Sequence, residues 1–257
     1  MDLATLLGIG LGIIAILTGN IMEGGSPTAL LLIPPMLIVF GGTIGAAVAG
    51  GTMDDAKKSV LALKHAFTAK PTPPADLVPV VVTLADKARR EGLLALEDAL
   101  AEVNDPFLER GVSLAVDGTD PEELREIMES EVYAKKLTDK QSAKFYNDMG
   151  GYAPTIGIVG TVMGLVHVLE NLSQPEKLGH LIAGAFVATL WGVLSANMIW
   201  LPIGNRIKRL SDLETGRMEL VIEGVMAIQA GSNPRTVAQR LRSLLPESDR
   251  EPAEKAA

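Results

Sequence analysis

Apolar residues are not spread evenly along this chain. They gather into four windows almost free of charge, residues 3–21, 29–49, 152–169 and 181–203. Each is about 18–23 residues long, enough to cross a hydrocarbon core of about 30 Å as a helix. A helix is the expected form, because lipid offers no partner to unpaired backbone groups. The first window is not read as a cleaved leader. It lacks a basic region before it, since Asp2 is the one charge there, and a second apolar window follows at once.

Between the second and third windows the period changes. Residues 54–68 are amphipathic, with Val60, Leu61, Leu63 and Phe67 among Lys57, Lys58 and Lys64. Residues 70–74 hold three prolines and predict a break. Residues 77–100 carry apolar positions in helical rhythm, interrupted near Gly92. Asp105-Pro106 and Asp120-Pro121-Glu122-Glu123 each place a cap before a proline at the first helical position. The second start predicts a helix running from Pro121 into the third window. After the fourth window a helix is expected over 205–230, then a short one over 235–245 capped by Asn233, then a polar, disordered tail over 246–257. No strand pattern of useful length appears beyond Val80-Val81-Val82. The expected fold class is all-α: an integral membrane protein with four transmembrane helices and a helical cytoplasmic domain between helices two and three. The expected segments are 1–51 with two spans, 52–150 cytoplasmic, 151–203 with two spans, and 204–257 cytoplasmic.

Charge orients this plan. Of 23 Lys and Arg residues, 13 lie within 52–150 and nine after Pro202, whereas only Lys177 lies in either outer loop, 22–28 or 170–180. Basic residues are retained on the cytoplasmic side, so both termini and the middle segment are expected there. The formal net charge of −8 argues against nucleic acid as a partner, and the absence of cysteine rules out thiolate metal sites and disulfides. No catalytic group and no metal site is expected; His167 and His180, near the outer surface, are read as interfacial polar residues rather than ligands.

The chemistry of the spans is unusual for what it omits. No Asp, Glu, Lys or Arg lies within 152–169 or 181–203. Ion-conducting proteins usually bury an ionisable group in the membrane, so if this chain conducts ions a carboxylate must come from another chain. Small residues recur at four-residue spacing: Gly8/Gly12, Gly41/Gly45, Gly157/Thr161, Gly160/Gly164 and Gly184/Ala188/Gly192/Ala196. Such faces let helices approach closely, either within the chain or against a foreign helix. Thr161 and Thr189 lie near the middle of spans three and four. Each could bond back to its own preceding turn, or both could point into a shared cavity and offer oxygen to a hard cation. Pro154 and Pro202 stand near the cytoplasmic ends of these spans, where Pro154 could be tolerated as a helix start and either could bend its helix. Trp191 is read as a packing residue and Trp200 as an interfacial anchor.

In combination these features resemble a known family. The opening Met1-Asp2-Leu3-Ala4-Thr5-Leu6-Leu7-Gly8 is similar to sodium-type flagellar stator A subunits. The run Ala85-Asp86-Lys87-Ala88-Arg89-Arg90-Glu91-Gly92-Leu93-Leu94-Ala95-Leu96-Glu97 resembles the rotor-facing segment of the MotA/PomA family. So do Val116-Asp117-Gly118, Ala153-Pro154-Thr155-Ile156-Gly157-Ile158-Val159-Gly160-Thr161, Thr189-Leu190-Trp191-Gly192, Glu223-Gly224-Val225-Met226-Ala227-Ile228-Gln229 and Asn233-Pro234-Arg235. Single motifs are weak; their order over roughly residues 1–245 is strong.

The resemblance implies a stator subunit of the bacterial flagellar motor in the inner membrane, not an enzyme. Family members form a ring of five around two copies of a MotB/PomB-like B subunit, whose aspartate binds the translocated ion. It implies Thr161 and Thr189 as ion-pathway residues, Pro154 and Pro202 as conformational-coupling residues, and Arg89, Arg90 and Glu97 as contacts to the rotor protein FliG. On one continuous helix Arg90 and Glu97 would share a face. No tightly bound cofactor is implied, only transported Na+ or H+. Many proton-driven members carry alanine where this chain has Thr161, which favours sodium, although Leu32 replaces an aspartate found in some sodium-driven members. The alternatives are a TolQ/ExbB-like energising subunit and a non-conducting membrane scaffold; four spans and the Arg89 to Glu97 segment favour the stator.

Overall fold

A computed structural model describes residues 3–70, 72–100, 103 and 105–247. Among them the chain is all-helical, with no strand, and Val80 to Val82 lie inside a helix. Ten α-helices follow in order: α1 Leu3–Met22, α2 Ile33–Ala49, α3 Met53–Thr68, α4 Leu77–Glu91, α5 Leu96–Leu100, α6 Pro106–Val116, α7 Pro121–Glu170, α8 Pro175–Ser195, α9 Leu201–Gln229 and α10 Pro234–Leu244. A π-helical segment, Ala196–Trp200, joins α8 to α9 without a loop. Of the polar tail expected over 246–257, the residues beyond 247 lie outside the described residues.

Local chemistry sets most of these boundaries. Thr52 and Asp55 form a reciprocal capping box at the start of α3, with Asp55 N donating to Thr52 Oγ1 at 3.1 Å and Thr52 N to Asp55 Oδ2 at 2.9 Å. Asp105 Oδ1 accepts from Phe107 N and Leu108 N, both at 3.0 Å, and Asn233 Oδ1 accepts from Arg235 N at 3.0 Å. The second apolar window is shorter as a helix than the sequence suggested. It begins at Ile33, because Pro34 and Pro35 lack the N–H needed to continue a helix and fit instead in a first turn. Likewise Pro175 opens α8 six residues before the fourth apolar window begins.

Two compact units result. One comprises described residues of 1–70 and 138–210, the other those of 71–137 and 211–257. In the first, the inner face of α3 packs into a core with Ala47, Ala143, Tyr146, Met149, Ile203, Ile207 and Leu210. Tyr146 Oη donates to the Ser59 carbonyl at 3.0 Å. Burial pushes the Tyr146 phenol from its ordinary 10.0 up to about 12. A raised folded value means that this contribution to stability is complete below pH 10 and lost as pH rises through about 12. The second unit has the larger core, in which Leu96, Leu108, Leu124, Val225, Ile228 and Leu241 are fully enclosed. Arg217 reaches the buried Asp105 at 2.7 Å.

Two helical stretches, α7 and α8 to α9, are long and apolar enough to cross a membrane; α1 and α2 are apolar throughout but shorter, α2 having 17 residues. Exposed Leu7, Leu11, Ile14 and Leu37 leave these two helices with apolar outer faces.

Asp105→Ala removes a helix cap and the partner of Arg217 together. It should destabilise the second unit by about 2–4 kcal/mol, read as a lowered unfolding midpoint, while the exposed Asp98→Ala moves it by less than about 0.5 kcal/mol.

Candidate functional site

The site is built where α7 and α8 come closest. A Cβ added at Gly157 would lie 2.9 Å from the Ala188 carbonyl oxygen and 3.1 Å from Gly192 Cα. One added at Gly192 would lie 2.7 Å from the Ala153 carbonyl oxygen and 3.3 Å from Pro154 Cα. These are backbone atoms with nowhere to move, so both glycines are sterically required. Gly160 and Gly164 continue the seam against Ala188 and Ala185. By contrast, Gly8, Gly41 and Gly45 have no neighbour within 4 Å of an added Cβ, and so make no close contact within the described chain.

That approach brings together the two threonines. Thr161 Oγ1 and Thr189 Oγ1 are in direct hydrogen-bond contact. Thr161 Oγ1 also lies 3.1 Å from the Gly157 carbonyl and 2.9 Å from the Ala185 carbonyl. Thr161 therefore bonds back to its own turn, the first of the two readings weighed from sequence, and also faces Thr189 across the helix contact. The result is two hydroxyls and two carbonyls converging at half-buried positions, with no Asp, Glu, Lys or Arg in either apolar segment. Such a set offers only oxygen, which suits a hard cation or a relayed proton.

Pro154 is not at a helix start. It lies inside the unbroken α7, where it leaves the Gly150 carbonyl without its usual donor. Leu201, which precedes Pro202, packs on Gly150, so the irregularities of the two helices meet at one level. The π segment ends just before Leu201 and Pro202, and its wider turn makes room for the pyrrolidine ring. Thr161 lies seven residues beyond Pro154, about 10 Å along the axis.

The expected rotor-facing residues require a correction. Arg90 and Glu97 do not share a helical face, because α4 ends at Glu91 and Gly92 turns the chain at φ 90°. Arg89 and Arg90 sit in the last turn of α4, favourably placed on its dipole. Arg90 is held by Asp86 at 3.0 Å yet remains largely exposed. Glu97 is exposed at the start of α5. Sequence reasoning missed Leu94, which is 73% exposed in the turn between these charges.

Other residues gain roles that spacing did not show. Trp191 Nε1 donates to the Leu30 carbonyl at 2.7 Å, pinning the segment before α2. Trp200, expected as an interfacial anchor, instead packs edge-on to Phe40 with ring centroids 6.1 Å apart. His167 and His180 line a single cavity of about 460 Å³ with Leu32, Pro35, Met163 and Gly164. Among the described residues no cluster could hold a metal ion.

Comparison with known proteins agrees with this arrangement. Residues 99–220 match the MotA/TolQ/ExbB proton channel family and residues 6–92 match the motility protein A N-terminal region. The chain is 38% identical to motility protein A of Bacillus subtilis (strain 168), over 97% of this chain and 93% of that one. The chain belongs to the MotA/PomA family. Its fold superposes on the C. jejuni MotAB structure with a TM-score of 0.92 at 31% identity, covering 98% of this chain and 100% of that one. For the flagellar MotAB stator complex of Bacillus subtilis the TM-score is 0.88 at 38% identity, with 95% and 97% covered.

With no native cysteine, the helix contact can be read directly. Thr161→Cys with Thr189→Cys should form an intrachain disulfide under mild oxidation. Adding Gly192→Ala should cut its yield severalfold, since a methyl group there meets backbone. An unchanged yield would show that the two helices do not need the glycine to meet.

Proposed function

We propose that this chain is the A subunit of a flagellar stator, coupling inward cation flux to torque on the rotor. In this proposal α1, α2, the apolar part of α7 and α8 span the bacterial inner membrane, with both termini and the 52–150 segment cytoplasmic. The basic residues concentrated in that segment and after Pro202 support this orientation. A MotB-like B subunit is the partner, as the relatives described as MotAB suggest.

The observation that carries the proposal is the Thr161–Thr189 pair in a region without a carboxylate, lysine or arginine. A hydroxyl pair alone cannot hold and release a charge. Beside a carboxylate supplied by a B helix, it would complete an oxygen shell around an ion. The outer face of α7, where Ile158, Val159, Val162 and Val166 are exposed, leaves apolar surface for that helix or for lipid. Five A subunits around two B subunits would then repeat the site around a ring.

One elementary charge crossing the membrane yields about 2.3 kcal/mol per 100 mV, so torque must accumulate over many steps. Pro154, opposite Gly192, and Pro202, after the π segment, are the places where α7 and the α8 to α9 helix can flex as the B carboxylate changes charge. Arg89, Arg90 and Glu97 present both signs of charge around Leu94, a surface suited to electrostatic matching with FliG. Sodium is favoured over protons because Thr161 adds a hard oxygen donor.

The test uses a stator-deleted host carrying this chain with its cognate B subunit. Swimming speed should rise from near zero and saturate with sodium at fixed pH and ionic strength. Thr161→Val with Thr189→Val should abolish swimming while assembly with the B subunit survives. Arg90→Glu should reduce torque and leave ion flux intact. Speed independent of sodium would exclude the sodium assignment, and swimming by the double valine variant would exclude the threonine pathway.

A further inference from the structure

We infer that the outer face of α3 is a membrane-surface contact that takes anionic phospholipid headgroups, given the proposal that α2 spans the membrane. The inner face of α3 is fixed: Ser59 and Ala66 are buried, and the Ser59 carbonyl accepts from Tyr146. The outer face is open. Met53, Lys57, Val60 and Lys64 form one line at spacings of four, three and four, with Leu61 beside it. Met53, Val60 and Leu61 are 68%, 63% and 68% exposed, far more than apolar side chains on a solvent-facing helix would favour.

Charge selects the occupant. The two acids on α3 are engaged locally: Asp54 pairs with Lys58 at 2.7 Å, and Asp55 is held in the capping box with Thr52. Lys57 and Lys64 make no ion pair among the described residues, so the exposed line carries two uncompensated positive charges between apolar side chains. Alternating apolar and Lys residues suit a bilayer boundary, where methyl groups enter the acyl region and ammonium groups reach phosphates. Position agrees. Only Gly50, Gly51 and Thr52 separate α3 from the end of the apolar α2, a reach of about 10 Å. An anionic lipid surface supplies both the apolar layer and the negative charge.

The test uses the full chain with its B subunit, reconstituted into vesicles, with a nitroxide label on Leu61→Cys. Collisions with oxygen report lipid, and collisions with a neutral nickel chelate report water. In vesicles one-third phosphatidylglycerol, the label should be open to oxygen and shielded from nickel. Nickel access should rise at least about twofold in pure phosphatidylcholine, and equally in Lys57→Gln with Lys64→Gln, because each lysine contributes to attraction by anionic lipid. Lys57→Arg with Lys64→Arg should restore shielding. A label open to nickel in every bilayer overturns the inference, and so does one closed to both reagents, which would place a second protein copy on this face. Shielding indifferent to lipid charge and to the lysines also overturns it. A label at the exposed Leu37→Cys on α2 separates the premises: oxygen access there with failure at position 61 sinks this inference alone, whereas nickel access at position 37 sinks the membrane assignment with it.

Discussion

Gly157 and Gly192 let the backbones of α7 and α8 touch, and the remaining features of the site depend on that contact. In lipid the hydrophobic effect does not press helices together, because the surrounding chains are as apolar as leucine. Close packing and interhelical hydrogen bonds must hold them instead. The glycine seam provides the first, and the Thr161 to Thr189 and Thr161 to Ala185 contacts provide the second. The two are coupled, since hydroxyls this short can meet across helices only where no Cβ holds the backbones apart.

The same contact places two irregular helices side by side. Pro154 faces Gly192 and leaves a carbonyl of α7 short of a donor, while the partner helix widens to a π turn before Pro202. Each irregularity alone would merely be tolerated. Together, about two turns from the threonines, they provide a compliant layer beneath an otherwise rigid glycine seam. In the proposed stator, a change in charge beside the hydroxyls would have a nearby place to be taken up as bending rather than as separation of the helices.

The charges of Arg89, Arg90 and Glu97 illustrate a different physical control. Gly92 ends α4 in a backbone conformation that side chains other than glycine rarely adopt. That turn moves Glu97 off the face bearing Arg90 and thrusts Leu94 outward. The patch becomes a turn with charge at both ends and an apolar tip, a shape that can seat in a partner more specifically than one straight charged stripe.

The sequence by itself determined the helical class, the apolar windows, the long helix from Pro121 and the caps at Asp105, Asp120 and Asn233. These follow from local physics: periodicity, propensity and hydrogen bonds between near neighbours. The resemblance also singled out Thr161, Thr189, Pro154 and Pro202. Tertiary structure alone decided that the threonines bond to each other, that Gly157 and Gly192 pack together while Gly41 and Gly45 do not, and that His167 and His180 share a cavity. Four-residue spacing marks a face on a helix but carries no information about which face meets which, since that depends on rotation and crossing of distant segments. The π segment was hidden for the same reason: residues 196–200 are ordinary helix formers, and the extra residue in the turn is set by fitting Pro202 against neighbouring helices.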